Sequence, residues 1–317
     1  MDRCDEVYEN DNGTVSSLTF TFVMPDSNVT VSGSFITSFI VGSEIFIKDR
    51  KITIKPTLWA CDHEVTQNEY KTIMGVNPSN FSDNPANGEV QGNRPVENVS
   101  WYDCIVYCNK RSISEGLSPC YAINGVTNPS NWGSIPGLRL DEAWDKVVCN
   151  FDCNGYRLPT EAEWEYLARG GNLTNEGQTV YSGSDNADDV AWYDIGYDGN
   201  SSGITHEVKK KAPNALGLYD MSGNVYEWCW DWGGYARSKS NPNQSPYDLG
   251  GFTANCYTFD CGISADTPDT GPVSGHMRVM RGGHYLAGTP AISSRSHPYP
   301  FTRTENIGFR VVRSSLE

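Results

Sequence analysis

The chain has 317 residues, with 24 lysine and arginine side chains against 39 aspartate and glutamate, which gives a formal charge of −15. The phosphates of nucleic acids and of anionic membranes repel so acidic a chain, and we exclude both as partners. Hydrophobic residues make up 38% and aromatic residues 12%, so the chain is too apolar to be disordered and long enough for a sizeable core. No stretch approaches the roughly 20 apolar residues of a transmembrane helix.

The first 37 residues predict a small β segment. Residues 17–23 and 29–35 alternate β-branched or aromatic with polar side chains, and Met24-Pro25-Asp26-Ser27 between them is typical of a turn. This string also resembles the last hairpin of bacterial surface repeat modules. We therefore divide the chain into an N-terminal β-hairpin segment, residues 1–37, and one larger domain, residues 38–315.

Three capping boxes predict where helices begin in the larger domain. A serine or threonine is followed three residues later by an acidic residue in Thr66 with Glu69, Ser100 with Asp103, and Thr160 with Glu163. We expect the second helix to end near Gly116 and the third at Gly170-Gly171. Short aromatic runs between glycine, proline and asparagine predict a mixed α+β domain with a high loop content.

The ten cysteines show no Cys-x-x-Cys spacing and the five histidines are scattered, so the sequence gives no support for a structural zinc site. A chain of this length does not depend on disulfides to hold its core. We expect mostly buried thiols with one or two disulfides, and Cys256 with Cys261 is the favoured pair.

Four strings in a fixed order carry a family resemblance. They are residues 64–70, 155–171 and 217–228, and the closing pair RVMRGG with IGFRVV. Over roughly residues 40–314 the chain resembles the formylglycine-generating enzyme family, the sulfatase-modifying group. The resemblance implies an α+β, C-type-lectin-like fold that is rich in loops, to which the small N-terminal β segment is added.

The same resemblance bears on catalysis. In the family, two cysteines after the Arg-Gly-Gly string act as nucleophile and copper ligands, because a thiolate both attacks and binds the soft metal. Those positions hold Ala287 and Ile292 in this chain, and no cysteine follows Cys261. We therefore expect the fold without the enzyme activity. The alternative left open is an enzyme with altered chemistry in the same cleft, using His284 or His297 as a base.

The resemblance also implies a calcium loop. Its ligands would be the side chains of Asp220 and Glu227 and the carbonyl oxygens of Gly223 and Val225, since calcium prefers oxygen ligands. The alternative is that the two carboxylates accept hydrogen bonds from turn amides. We expect no required cofactor, and calcium would be structural.

Residues 284–306 show neither a two-residue nor a 3.6-residue apolar period, and their prolines disfavour a central helix or strand. Stiff aromatic side chains among small polar ones are typical of a binding surface. The alternative is an ordinary connecting loop.

This C-terminal layout resembles the variable proteins that retroelements diversify, the treponemal ones in particular. The resemblance implies a variable segment at residues 281–310, in which Arg295, Pro300 and Arg303 are fixed positions. The side chains predicted to bind ligand are His284, Tyr285, Leu286, Gly288, Thr289, Ser296, His297, Pro298, Tyr299, Phe301, Thr302 and Thr304.

The sequence thus predicts a non-catalytic binding protein whose C-terminal loops hold an unknown protein or surface ligand. We expect it at the cell surface or outer membrane of a bacterium, lipid-anchored in its full-length form, although the residues after Met1 are no export signal. A third hypothesis is a structural or chaperone-like partner of an envelope protein, with its binding surface on residues 233–277.

Overall fold

The structure is a computed structural model. It describes the backbone of four short strands near the start and five longer stretches in full: residues 18–20, 33–36, 44–47, 50–53, 58–171, 179–194, 199–233, 275–287 and 290–314. None of the helices in these ranges has the length and apolar character to cross a membrane.

Thirteen short strands and five α-helices are present in the described ranges, with two short 3-10 helices at Gln91–Asn93 and Pro129–Asn131. The strands are β1 Leu18–Phe20, β2 Gly33–Ile36, β3 Glu44–Ile47, β4 Arg50–Thr53, β5 Leu58–Cys61, β6 Tyr121–Ala122, β7 Val148–Cys149, β8 Tyr156–Arg157, β9 Tyr226–Gly233, β10 Met277–Arg281, β11 Arg295–Ser296, β12 Ile307–Gly308 and β13 Val312–Ser314. The helices are α1 Gln67–Met74, α2 Trp101–Ser114, α3 Glu142–Asp145, α4 Glu161–Ala168 and α5 Ala187–Val190. The architecture is therefore mixed α+β.

Two sheets organise the fold. The first has the strand order β1-β2-β5-β13-β8, and the second has the order β11-β10-β9-β12. In the first sheet, Val312 of β13 lies opposite both Ala60 of β5 and Arg157 of β8. Strand β13, the last described strand, thus lies inside the first sheet, between β5 and β8.

The N-terminal strands extend this first sheet. β1 pairs antiparallel with β2, with Leu18 opposite Phe35, and β2 pairs with β5, with Phe35 opposite Cys61. The division of the chain at residue 37 stays a prediction.

All three predicted capping boxes are formed. At α2, the Ser100 hydroxyl accepts from the Asp103 N–H at 3.1 Å, and the Asp103 carboxylate accepts from the Ser100 N–H at 2.8 Å. α1 and α4 begin with the same reciprocal pair. Two glycines with φ of +64° and +73° follow α4 at Gly170 and Gly171, a conformation that stops a helix and that glycine adopts without strain.

Two large packed clusters and a small third one around Ala191 form the core of the described residues. In the first, the Tyr70 and Tyr107 rings stack at 5.5 Å, and Phe309 meets Tyr107 edge-on at 5.2 Å. The second lies beneath α4 and contains Trp164 together with Ile292. Since residues on both sides of the predicted variable loops belong to these clusters, the loops leave and re-enter a packed interior.

One disulfide, Cys120–Cys153, is formed within the described residues. Burial raises the pKa of the Cys104, Cys108 and Cys229 thiols, so these side chains act as small apolar groups. The predicted Cys256–Cys261 pair lies outside the described residues.

Candidate functional site

Strands hold the predicted variable segment at both ends. β9 pairs antiparallel with β10 and parallel with β12, so Arg281 and Gly308 both lie opposite Glu227. Between them, β11 folds back on β10 with Ser296 opposite Met280. The loops of the segment are therefore fixed at three points on one sheet.

A buried charge network holds the backbone of the segment. Arg281 donates to Glu161 at 2.7 Å and to Glu165 at 2.9 Å, and it also reaches the Ile292 carbonyl at 2.7 Å. Arg295 donates to the same Glu161 carboxylate. Burial would raise the pKa of both glutamates, but the neighbouring arginines lower it below its usual value. α4 is thus the platform of the segment.

Arg303 makes the second attachment. Its guanidinium donates to both oxygens of Asp103, at 2.7 and 3.1 Å, and to the carbonyl oxygens of Pro136 and Gly137 at 3.4 to 3.5 Å. Asp103 also belongs to the capping box of α2. The end of the segment is therefore tied to the start of α2 and to the loop at residues 136–137.

Sequence reasoning missed the carboxylates that receive these arginines. Glu161 and Glu165 are four residues apart in α4, so they face the same side of the helix. The spacing indicates a shared helix face, but nothing local in the sequence links that face to the arginines of the distant segment. Asp103 was recognised only as a cap.

Most of the predicted ligand-binding side chains reach solvent. Leu286 is 50% exposed. Partly exposed are His284, Ser296, His297, Pro298, Tyr299, Phe301, Thr302 and Thr304. Gly288 and Thr289 lie outside the described residues. The predicted fixed residue Pro300 is buried, so exposure changes from one residue to the next along this loop.

Tyr285 departs from this display pattern. Its side chain is 2% exposed and its ring meets Phe81 edge-on at 5.2 Å. Its N–H donates to the Asn224 carbonyl, and its own carbonyl accepts from Ser201. Tyr285 therefore supports the loop from inside, which the sequence could not indicate because its contacts come from distant segments.

Tyr299 and Phe301 are partly exposed, and Phe301 also packs against the first core cluster. Their rings stack 5.2 Å apart at an angle of 6°. Pro300 between them points inward, and its carbonyl accepts from the Trp101 N–H at 3.0 Å. The alternation places both rings on the same side of the loop.

The two histidines of the segment are weak bases. Burial lowers the pKa of both His284 and His297 to about 4. The Nδ1 atom of His284 accepts from the Leu286 N–H at 3.2 Å, and the His297 ring packs against Gly233. A general base works best with a pKa near the operating pH, so neither side chain suits that role at neutral pH.

The two positions predicted to replace the catalytic cysteines carry no thiol. Ile292 is 2% exposed in the second core cluster, and Ala287 is partly exposed beside His284. Cys229 is the described thiol on β9, and it is fully buried. The correspondence of Ala287 and Ile292 to the cysteine pair stays a prediction.

The predicted calcium ligands are in a buried acidic cluster. Both Glu227 oxygens accept from Arg310, at 2.6 and 2.7 Å, and one also accepts from the Trp164 indole. Asp220 has one fully buried oxygen without a hydrogen bond among the described residues, and burial raises its pKa to about 6. The set fits calcium only in part, because Arg310 already occupies Glu227.

A second group with metal-binding side chains lies nearby. Ligand atoms of Cys61, Asp62 and His63 are all within 4.8 Å of one another. Asp62 is engaged by His63 at 2.5 Å and by Lys209 at 2.6 Å. A metal ion would have to displace these partners, so we assign no metal there.

The chain matches known proteins along most of its length. Residues 8–315 match the model of the sulfatase-modifying factor enzyme 1-like domain. The chain is 37% identical to the chaperone protein LppX of Paenibacillus barcinonensis over 277 residues, 82% of this chain and 91% of LppX. It is 31% identical to the formylglycine-generating enzyme of Streptomyces coelicolor over 186 residues, 53% of this chain and 50% of the enzyme.

Solved structures agree with the fold expected from the sequence. Treponema denticola variable protein 1 has a TM-score of 0.73 and 33% identity, over 95% of this chain and 100% of that one. CarF has a TM-score of 0.57 and 26% identity, over 89% of this chain and 97% of its own. The C-type-lectin-like fold is thereby confirmed, and the chain belongs to the sulfatase-modifying factor enzyme 1-like family.

Proposed function

We propose that this chain is a non-catalytic binding protein that holds its ligand on the exposed side chains of residues 284–304. Similarity to a variable protein and to a chaperone on the same scaffold supports a binding role. The observation that carries the proposal is the separation of roles within one segment. Arg281, Tyr285 and Pro300 are buried, whereas Tyr299 and Phe301 on either side of Pro300 are partly exposed.

Such a separation favours recognition. Buried ion pairs fix the backbone at Arg281 and Arg295, so exposed side chains are ordered before a ligand arrives. Ordering in advance lowers the entropy cost of binding. Tyr299 and Phe301 supply contact area with few rotatable bonds, which is the property of binding hot spots.

Catalysis in the same cleft has less support. His284 and His297 are weak bases, and the described thiols other than the partly exposed Cys149 are buried. We also propose that the protein acts at a bacterial cell surface, where a protease added to intact cells would remove it. Exchange of the residues at the exposed positions between gene copies would fit diversification by a retroelement.

The binding site is testable before any natural ligand is known. A phage library of random 12-residue peptides is selected on the purified chain, and the enriched peptides are titrated against the Tyr299→Ala/Phe301→Ala variant. We expect affinity to fall at least tenfold, because truncation of an aromatic hot spot costs about 2 kcal/mol or more.

Thermal melting of the variant provides the folding control for this titration. Peptides that bind the variant and the parent chain equally, with both proteins folded, would place the site elsewhere and contradict the proposal. Binding on residues 233–277 would then become the better hypothesis.

We further propose that the acidic cluster at Asp220 takes up a structural calcium ion. Asp220 would supply its unpaired oxygen, the carbonyls of Gly223 and Val225 two more, and Glu227 one that it shares with Arg310, with water filling the remaining positions that calcium needs. The positive charge of calcium would offset the repulsion between the buried carboxylates of Asp220 and Glu227. Calorimetric titration of chelator-treated protein tests this proposal, with Asp220→Asn as the matched variant. We expect binding heat and a rise in Tm for the parent chain. If calcium produces no heat and no change in Tm, the proposed calcium site is excluded.

A further inference from the structure

Arg278 of β10 is a buried arginine without an ion pair. Its side chain is 1% exposed, and its guanidinium has no carboxylate oxygen within 4.0 Å among the described residues. Three other fully buried arginines each contact a glutamate at 2.6 to 2.9 Å, namely Arg157, Arg281 and Arg310. Arg94 donates to several neutral oxygens instead. Since buried charges are normally paired, Arg278 is an exception that calls for a partner.

Two indole rings cover the guanidinium of Arg278. Its Cζ atom lies 3.7 Å from the ring centre of Trp101 and 3.3 Å from that of Trp232. Two rings this close to one carbon atom cannot occupy the same side, so they enclose it from two sides, and we call the space between them the tryptophan slot. Trp232 lies close to the protein surface, because Gly275, which packs against it, is partly exposed.

Only the edges of the guanidinium are left for hydrogen bonds. Nη1 donates to the Trp230 carbonyl oxygen at 2.5 Å, whereas Nε is fully buried and makes no hydrogen bond with the described residues. The Nε edge is one on which arginine can hold both oxygens of a carboxylate. Burial lowers the pKa of Arg278 to about 9, so the group still carries its charge at neutral pH.

The nearby carboxylates of the chain are engaged elsewhere. Asp145 and Asp231 are close enough to raise the pKa of Arg278 against the effect of burial. However, Asp145 accepts from the Tyr102 hydroxyl at 2.5 Å, and Asp231 accepts from the Glu161 N–H at 2.6 Å. Neither of them forms an ion pair with Arg278. A carboxylate from a ligand would supply the pair that they do not.

The tryptophan slot is attached to the segment on which the proposed binding site lies. The Arg278 N–H donates to the Pro298 carbonyl oxygen at 2.9 Å, and the Trp101 N–H donates to the Pro300 carbonyl oxygen at 3.0 Å. These two backbone bonds lie on either side of Tyr299. A ligand that contacts Tyr299 is therefore held by backbone that is bonded directly to two residues of the slot.

We propose that Arg278, in the tryptophan slot, binds the carboxylate of an aspartate or glutamate side chain of a protein partner. The inference rests on the proposed function and names one chemical group of its ligand. A carboxylate is planar and suits a space between two rings, whereas a tetrahedral phosphate is thicker. The charge of −15 repels a polyanion, so we infer a single acidic side chain rather than an acidic tract.

Formate, the smallest carboxylate, probes the slot in the unaltered chain. Sodium formate is titrated at constant ionic strength with sodium chloride and sodium phosphate as references, and tryptophan fluorescence is recorded. We expect a saturable change with formate alone, half-complete no lower than about 1 mM because formate has only three heavy atoms. Arg278→Lys should abolish it, since lysine cannot hold two oxygens side by side. The exposed Arg139→Lys is the matched control and should change nothing.

The second test uses selected 12-residue peptides that require Tyr299 and Phe301. Each aspartate or glutamate of such a peptide is changed to its amide. We expect one of these changes to weaken binding to the parent chain at least tenfold, and binding to Arg278→Lys less than twofold, because the pair is already lost in that variant. Thermal melting checks that Arg278→Lys is folded. The formate titration of the parent chain needs no variant and decides the question if it is not.

A formate response no larger than the chloride or phosphate response would overturn the inference. Amide peptides that bind the parent chain as tightly as their acidic forms would also overturn it. If the peptides require Tyr299 and Phe301 but no acidic residue, this inference fails and the proposed function stands. If they ignore both aromatic residues, the proposed function fails, and the formate titration still decides whether the slot binds a carboxylate.

Discussion

A single buried carboxyl group, that of Asp231, makes stability depend on pH. It lies on β9 behind the variable segment and accepts from the Glu161 N–H at 2.6 Å, at the start of α4. Burial, with the nearby charge of Glu161, raises its pKa from 3.8 to about 7. Between pH 4 and 7 the folded chain keeps this proton while the unfolded chain releases it, so this group lowers stability as pH rises.

Replacement by asparagine should remove that loss. The Asp231→Asn amide oxygen can still accept from the Glu161 N–H, but it never becomes charged. We expect the free energy of unfolding of the variant to exceed that of the parent by on the order of 4 kcal/mol at pH 8, with little difference at pH 4. Denaturant titrations at both pH values measure this difference, with Glu305→Gln as the charge control. A difference that does not change with pH would contradict the expectation.

At the scale of the elements, local sequence patterns predicted the helix starts correctly, whereas contacts between distant residues could not be predicted. The capping boxes of α1, α2 and α4 depend on residues three positions apart, so they were readable. The inward turn of Tyr285 depends on Phe81, and the position of the variable segment depends on Glu161 and Asp103. Such pairs are set by the packing of separate elements, which no local pattern records.

The sequence predicted the irregular backbone of the loop but not the element that supports it. Three prolines and the absence of a period indicated an irregular displayed segment, and the described part of it is mostly irregular. β11 is an exception of two residues at the sheet edge, where a neighbouring proline is tolerated. The sequence did not predict that α4 supports the segment, because its glutamates have the pattern of ordinary solvent-exposed charges.

At the scale of the whole molecule, the fold separates stability from display. Strands β9, β10 and β12 and the buried members of the two large core clusters include none of the partly exposed loop side chains, although Phe301 packs in part against the first cluster. A surface substitution usually changes stability by less than about 0.5 kcal/mol, whereas truncation of a buried aromatic residue costs about 3–5 kcal/mol. The same segment should therefore contain both tolerant and intolerant positions.

Two variants of the same segment test this separation. The triple change Leu286→Ser, Ser296→Asn and Thr302→Ser alters only partly or largely exposed side chains, so we expect Tm to stay within about 2 °C of the parent. Tyr285→Ala, next to Leu286, removes a ring packed on Phe81 and should lower Tm by roughly 6–10 °C. Thermal melts followed by circular dichroism give both values. Equal losses in the two variants would mean that the exposed side chains also hold the fold, and a scaffold of that kind would not tolerate diversification at these positions.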